Sequence, residues 1–263
     1  MLPETFEGFH IHHYQKVSST NREALDLIDS GISNETVIIA DKQTEGRGRT
    51  GKNWVSPEGN FYASLVISLL QVPLCNTQLL DSSISYLSDR ENLSELTELT
   101  FITALAVGNT LLLFIDDNNV QYKWPNDVFV NGKKISGILL EKKSNSNWLI
   151  IGVGINVNHA PLSEATCIGD YGKSMSNIDL LKELILNFNK LRKQWIFDGF
   201  HAIREIWLKR AFKINKQISV KSADKLYEGI FIDIDKSGRL VLQQRDNSLI
   251  YFDTGELFID NTL

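Results

Sequence analysis

The stretch Lys123-Trp124-Pro125-Asn126-Asp127-Val128-Phe129-Val130-Asn131-Gly132-Lys133-Lys134-Ile135-Ser136-Gly137-Ile138-Leu139 carries the clearest structural instruction in the chain. Asn131-Gly132 is a two-residue turn signal, because a type I′ turn needs positive φ at both central positions. It closes a hairpin on a strand at 127–130 and puts Lys134 on the return strand. Pro125 cannot donate to a sheet ladder, so it ends the preceding strand at 120–124 and fixes the chain direction. Asp127 then starts a strand, where a carboxylate can point into a site. Ser136 and Gly137 are small enough for a ligand to approach closely. Taken alone, the stretch is explained by a simple ion pair between Asp127 and Lys134 on adjacent strands.

Outward from this hairpin, short apolar or alternating runs predict strands at 9–17, 36–40, 61–70, 138–142 and 148–153. Helices are expected at 22–30, stopped by Gly31, and at 98–114, 178–195 and 200–209. Residues 74–97, rich in Ser, Asn, Asp and Glu, read as a surface excursion between a strand and a helix. After Lys213 the character changes. Strands at 218–220, 227–234, 240–243 and 249–251 are broken by Lys236-Ser237-Gly238 and Asp246-Asn247, a spacing that suggests a small β-barrel. The boundary falls near 211–215, dividing the chain into domains 1–212 and 213–263.

The 263 residues are 43% hydrophobic and 22% charged, which excludes disorder, collagen and coiled coil as the main architecture. A net charge of −5 argues against duplex nucleic acid as the main partner. A local basic stripe is nevertheless present, because residues 182–221 hold ten Lys or Arg against three Asp or Glu. Cys75 and Cys167 make no disulfide scaffold and fit a reducing compartment. Residues 1–14 lack the apolar run of a signal peptide, and no stretch is long and apolar enough for a bilayer. The expectation is a cytoplasmic protein without a membrane partner.

The second informative segment is Gln43-Thr44-Glu45-Gly46-Arg47-Gly48-Arg49-Thr50-Gly51-Lys52-Asn53-Trp54. Its glycines let the backbone bend around a ligand and present N–H groups to an anion. Arg47, Arg49 and Lys52 add cations suited to a carboxylate or phosphate. Gly46 to Lys52 fits the start of a Walker A loop, but Asn53 replaces the hydroxyl residue and no apolar helix follows. Gly152-Val153-Gly154 begins like a dinucleotide fingerprint, but the run reads as a strand. Two glycines in a strand suggest instead a wall against which a ligand lies flat, with Asn156 able to read an adenine edge. His10, His12 and His13 lack the further ligands of a zinc set and read as surface or core histidines.

The order of these motifs resembles the biotin–protein ligases. The carriers are Ser18-Ser19-Thr20-Asn21, the Gly-Arg-Gly-Arg-x-Gly loop at 46–51, Lys-Trp-Pro-Asn-Asp at 123–127, Lys-x-Ser-Gly-Ile-Leu at 134–139 and Gly-x-Gly-Ile-Asn at 152–156. The resemblance runs from about residue 9 to the C-terminus. It implies an α+β fold: a mixed, largely antiparallel sheet with flanking helices, like that of class II synthetases, plus a small C-terminal β-barrel. Only about eight residues precede the first expected strand, so a ligase without the family's DNA-binding repressor segment is expected.

The resemblance also implies the site. Ser19, Thr20 and Gln43 would meet the biotin ring, whose ureido group offers one acceptor and two donors. Gly46, Arg47, Arg49, Lys134 and Gly137 would complete the biotin side. Arg47, Arg49, Lys52, Trp54, Asn126, Asp127 and Asn156 would line the adenylate side. Lys134, Arg49 and Asp127 are the implied catalytic residues, with Asp127 open between base, lysine orienter and ligand of a Mg²⁺ ion. The implied substrates are ATP and biotin, with Mg²⁺. The implied partner is the biotin carboxyl carrier domain of a carboxylase, with no DNA; monomer and homodimer stay open. The rival readings are a lipoate–protein ligase or octanoyl transferase of the same fold and, more distantly, a nucleic-acid-binding module.

Overall fold

A computed structural model of the chain describes residues 4–69, 89–115, 120–144, 146–172, 175–223 and 225–258. Its larger sheet has the order β1-β2-β3-β4-β8-β7-β6-β5. The strands are β1 Thr5–Phe6, β2 Phe9–Val17, β3 Thr36–Gln43, β4 Phe61–Ser68, β5 Val120–Lys123, β6 Asp127–Val130, β7 Lys133–Lys142 and β8 Trp148–Ile155. Helix α1, Thr20–Asp29, links β2 to β3, which run parallel; the other neighbours in this sheet are antiparallel. The expected hairpin forms, with Asn131 and Gly132 at φ 51° and 75°.

The two faces of this sheet are covered differently. Val37, Leu65, Ile151 and Ile138 belong to the main core, shared with helices α2, Asp89–Leu111, and α3, Asn177–Asp198. On the opposite face, register aligns Ala40, Tyr62, Gly154, Gly137 and Asp127 in one row. The next row is Ile38, Ser64, Gly152 and Leu139. Helix α1 packs Ala24 on Ile38, Val66 and Ile150 of this face. Gly137, Gly152 and Gly154 carry no side chain, so part of the face is a floor of bare backbone.

Helix α4, Phe200–Leu208, leads into a second sheet ordered β12-β11-β10-β9-β13. Its strands are β9 Gln217–Ser222, β10 Lys225–Ile234, β11 Leu240–Gln243, β12 Leu249–Phe252 and β13 Glu256–Phe258. The expected barrel is present as an open one, in which β12 and β13 are end strands. Side-chain contacts bolt it to the larger unit. Arg204 of α4 grips the Asp233 carboxylate and the Ile234 carbonyl. The Trp124 indole N–H donates to the Gly238 carbonyl at 3.1 Å.

Some expected boundaries move. Strand β7 runs from Lys133 to Lys142, so the return strand that carries Lys134 and the run expected at 138–142 are one strand. Helix α1 starts at Thr20, not 22. Helix α2 takes in residues 89–97 of the expected surface excursion, whose remainder at 74–88 lies outside the described residues. Strands β1 and β13, of two and three residues, are too short to leave a periodic signal.

Candidate active site

The glycine loop is a miniature hairpin. The Gly48 N–H donates to the Lys52 carbonyl at 2.6 Å, the Trp54 N–H donates to the Gly46 carbonyl at 2.9 Å, and Arg47 pairs with Asn53. Its tip is a short 3-10 turn at Arg49–Gly51, with Thr50 and Gly51 at φ 51° and 73°. The hairpin therefore uses several of the N–H groups that sequence offered to an anion, and its cations supply the positive charge. A Cβ at Gly46 would overlap the Trp54 carbonyl and the Ser56 hydroxyl, so that position accepts nothing larger.

Trp54, at the end of the hairpin, lies on the glycine floor. Its six-membered ring approaches a Cβ position at Gly154 to 2.6 Å and at Gly137 to 3.0 Å. Its indole N–H is buried with no hydrogen-bond partner among the described residues. A buried donor left unpaired costs about 1–3 kcal/mol. Of the two glycines read as a wall, Gly154 lies under the indole and Gly152 under the Asn21 side chain.

Lys134 and Asp127 meet beside this ring. The Lys134 ammonium is 2.7 Å from Asp127 Oδ1 and 5.3 Å from the Trp54 ring centre. Arg49 reaches over from the loop tip. It donates to Asn126 Oδ1 at 3.2 Å and to Thr254 Oγ1 at 2.6 Å. Asn126 is itself fixed, because its amide donates to the Ile138 carbonyl at 2.7 Å. The structure thus brings Lys134, Asp127, Asn126, Arg49, Trp54 and Gly137 together at one end of the floor.

The polar hinge forms the other end. Ser19, Thr20 and Asn21 are all buried. Gln43 Oε1 accepts from the Thr20 N–H and hydroxyl at 2.9 and 3.2 Å, and its amide donates to Ser56 Oγ at 2.9 Å. Two further expected residues make protein contacts of their own. The Asn156 side chain is buried and donates to the Thr166 carbonyl at 3.1 Å, a backbone-clamping role. Arg47 points to the rim, 2.8 Å from Glu141. Lys52 flanks the loop and stays exposed.

Asn21, Ser56, Ser64, Glu141 and Thr254 were not read as site residues. For Glu141 and Ser64 a signal existed: they share strand parity with Gly137 and Gly152. The position near Asp127 expected to take Mg²⁺ is that of a carboxylate paired with a cation. Asp127 is committed to Lys134, and no group of three or more His, Cys, Asp or Glu that could hold a metal occurs among the described residues. Nor, among these residues, is any helix long and apolar enough to cross a membrane.

The pattern of the biotin/lipoate A/B protein ligase family matches residues 14–158, which contain the hinge, the loop, the hairpin and the floor. The chain belongs to that family. The biotin protein ligase C-terminal domain matches residues 213–260, the open barrel. Among relatives of this family member, the biotin–[acetyl-CoA-carboxylase] ligase of Paracoccus denitrificans is 32% identical over 241 residues, spanning 87% of this chain and 92% of the relative. The bifunctional ligase/repressor BirA of Bacillus subtilis (strain 168) is 29% identical over 252 residues, 91% of this chain and 71% of the relative. Among solved structures, the biotin protein ligase from Aquifex aeolicus in complex with biotin and ATP shares the fold. It has a TM-score of 0.76 and 22% identity, covering 96% of this chain and 98% of that one.

Proposed function

We propose that the chain is an ATP-dependent, AMP-forming biotin–protein ligase. It activates biotin to biotinyl-5′-AMP and transfers the biotinyl group to a lysine of a biotin carboxyl carrier domain. The observation that carries this reading is the pairing of Lys134 with Asp127 on a bare backbone floor, under an indole and beside an anchored arginine. The match to the biotin-specific C-terminal domain favours biotin over lipoate within the family. That match, beginning after α4 and just before β9, also supports a division into units 1–212 and 213–263.

In the first step a biotin carboxylate oxygen attacks the α-phosphorus of ATP, and the bond to pyrophosphate breaks. Two anions must meet, so catalysis needs fixed positive charge where the phosphate charge shifts. The Lys134 ammonium supplies it, aimed by Asp127, and Arg49 supplies a second cation, aimed by Asn126 and Thr254. Ser19, Thr20 and Gln43 offer hydroxyl and amide partners to the ureido ring. The mixed anhydride is labile in water, so the loop hairpin and Trp54 protect it by covering the floor. In the second step the carrier lysine amine attacks the acyl carbon. The bond to AMP breaks, the amine loses a proton, and AMP leaves with the electron pair. Magnesium bound with the nucleotide phosphates would screen their charge.

The test is incubation with biotin, ATP and Mg²⁺ followed by mass detection, first without and then with a carrier domain. The expected result is a bound biotinyl-AMP, then a carrier heavier by one biotinyl group. Labelling by lipoate or octanoate in place of biotin would overturn the assignment.

A further inference from the structure

Glu141, near the end of β7, stands on the floor face of the sheet, in the same parity as Gly137 and Leu139. A single carboxylate oxygen, Oε2, accepts two donors. One is Asn21 Nδ2 at 2.6 Å, and the other is Arg47 Nη2 at 2.8 Å. Asn21 is buried in the hinge, whereas Arg47 is a stem residue of the loop hairpin. A half-exposed ion pair by itself contributes little. Here, however, the shared oxygen joins the two segments that hold the substrates.

The connection continues inward. The Ser64 hydroxyl lies 2.8 Å from Thr20 Oγ1 and 2.5 Å from Asn21 Oδ1. It has one proton for two acceptors. Thr20, Ser64, Asn21, Glu141 and Arg47 thus form one hydrogen-bonded chain from the hinge to the loop. Asn21 lies over Gly152, in the space that a Cβ there would fill.

We propose that Glu141 is the latch of the glycine loop. It is a positioning residue that holds Arg47, and with it the hairpin 46–54, over the floor, and through Asn21 it couples loop closure to occupation of the hinge. This rests on the biotin-ligase reading for its substrates. The cation that the resemblance placed near the phosphates thus serves as the fastener, leaving Arg49 to face the reaction.

The experiment compares wild type with E141A, E141Q and R47A. Glutamine keeps the size and the acceptor oxygen but removes the charge, so it decides the question if E141A fails to fold. In ligand-free protein, trypsin cleavage at Arg49 should quicken about tenfold in E141A and less in E141Q, because cleavage tracks local opening. In single turnover, release of biotinyl-AMP should quicken about tenfold, since weakened closure acts on the off-rate. Adenylate formation at saturating substrates should stay within about threefold of wild type. R47A should match E141A in release, and the double variant should be no worse than either, the non-additivity expected of one shared interaction. Cleavage and release at wild-type rates in E141A and E141Q, or additive effects of E141A and R47A, would overturn the latch. A wild type that forms no biotinyl-AMP would overturn the ligase reading instead, and the trypsin arm, which needs no substrate, would still decide the latch.

Discussion

Lys134 illustrates how much one side chain depends on its surroundings. It is partly exposed, yet its ammonium is fixed between a carboxylate 2.7 Å away and an indole ring 5.3 Å away. Removing an aimed charge from a reaction centre commonly costs about 10²–10³-fold in rate. K134A should therefore lose adenylation by about that factor, read as pyrophosphate release, with little change in the unfolding midpoint. Near-normal pyrophosphate release would count against the role. At this scale sequence was informative wherever neighbours in the chain are neighbours in space. Asp127 is registered with Gly137 and Lys134 with Phe129, and the Asn131-Gly132 turn brings the two strands close enough for their side chains to meet on the diagonal. Glu141 and Arg47 lie 94 residues apart, and nothing local joins them. The contact of Asn156 with the Thr166 carbonyl was hidden for a related reason, because the turn that joins them was not legible.

Among the elements, the contrast between two glycines tests the idea of a functional floor. Gly154 sits in β8 beneath Trp54, a side chain that belongs to the loop. Gly108 sits in α2 against the Tyr122 hydroxyl, deep in the core. G108A should overpack and lose about 1–3 kcal/mol of stability in denaturant titration. G154A should lift Trp54 instead, leaving stability within about 0.5 kcal/mol of wild type while weakening ATP binding. A large stability loss in G154A would make the floor merely structural.

The turn after β8 gives a pH prediction. The Thr166 hydroxyl and the Cys167 N–H donate to Asp170 Oδ2 at 2.8 and 3.1 Å and hold that carboxyl below its usual range. A depressed folded pKa means stability that is present above about pH 4 and lost as pH falls through the folded value. D170N should therefore lie below wild type in urea titrations at neutral pH, with the gap closing below about pH 4. A gap that stays constant down to pH 2 would refute the assignment. Of the elements themselves, strands 127–130 and 240–243 were legible to the residue, because tight turns or glycine breaks bound them. Strand β7 was legible only in two pieces, the return strand at Lys134 and the run at 138–142, because Ser136-Gly137 interrupts the apolar pattern between them.

Across the whole molecule, the small sheet reaches into the chemistry. Thr254, in the turn before β13, accepts from Arg49 at 2.6 Å, while Gly238 accepts from Trp124 beside the Pro-Asn-Asp corner. The loop arginine is thus held partly by a residue 205 positions away. T254V keeps the shape but removes the acceptor, and T254S keeps the acceptor. Adenylation should fall about tenfold in T254V, the scale of one charged hydrogen bond, and recover in T254S. Equal rates in all three proteins would confine the small sheet to scaffolding. Sequence announced that sheet through its change of character after Lys213, but gave no sign that it would touch the loop.

The bare floor has a consequence for anyone who wishes to redesign the enzyme. A surface made of main chain offers no side chain to exchange, and adding one at Gly137 or Gly154 only displaces the indole above it. Retargeting toward a bulkier or differently shaped acyl group must therefore proceed from the hinge, the lid and the lysine, with the bench beneath them left untouched.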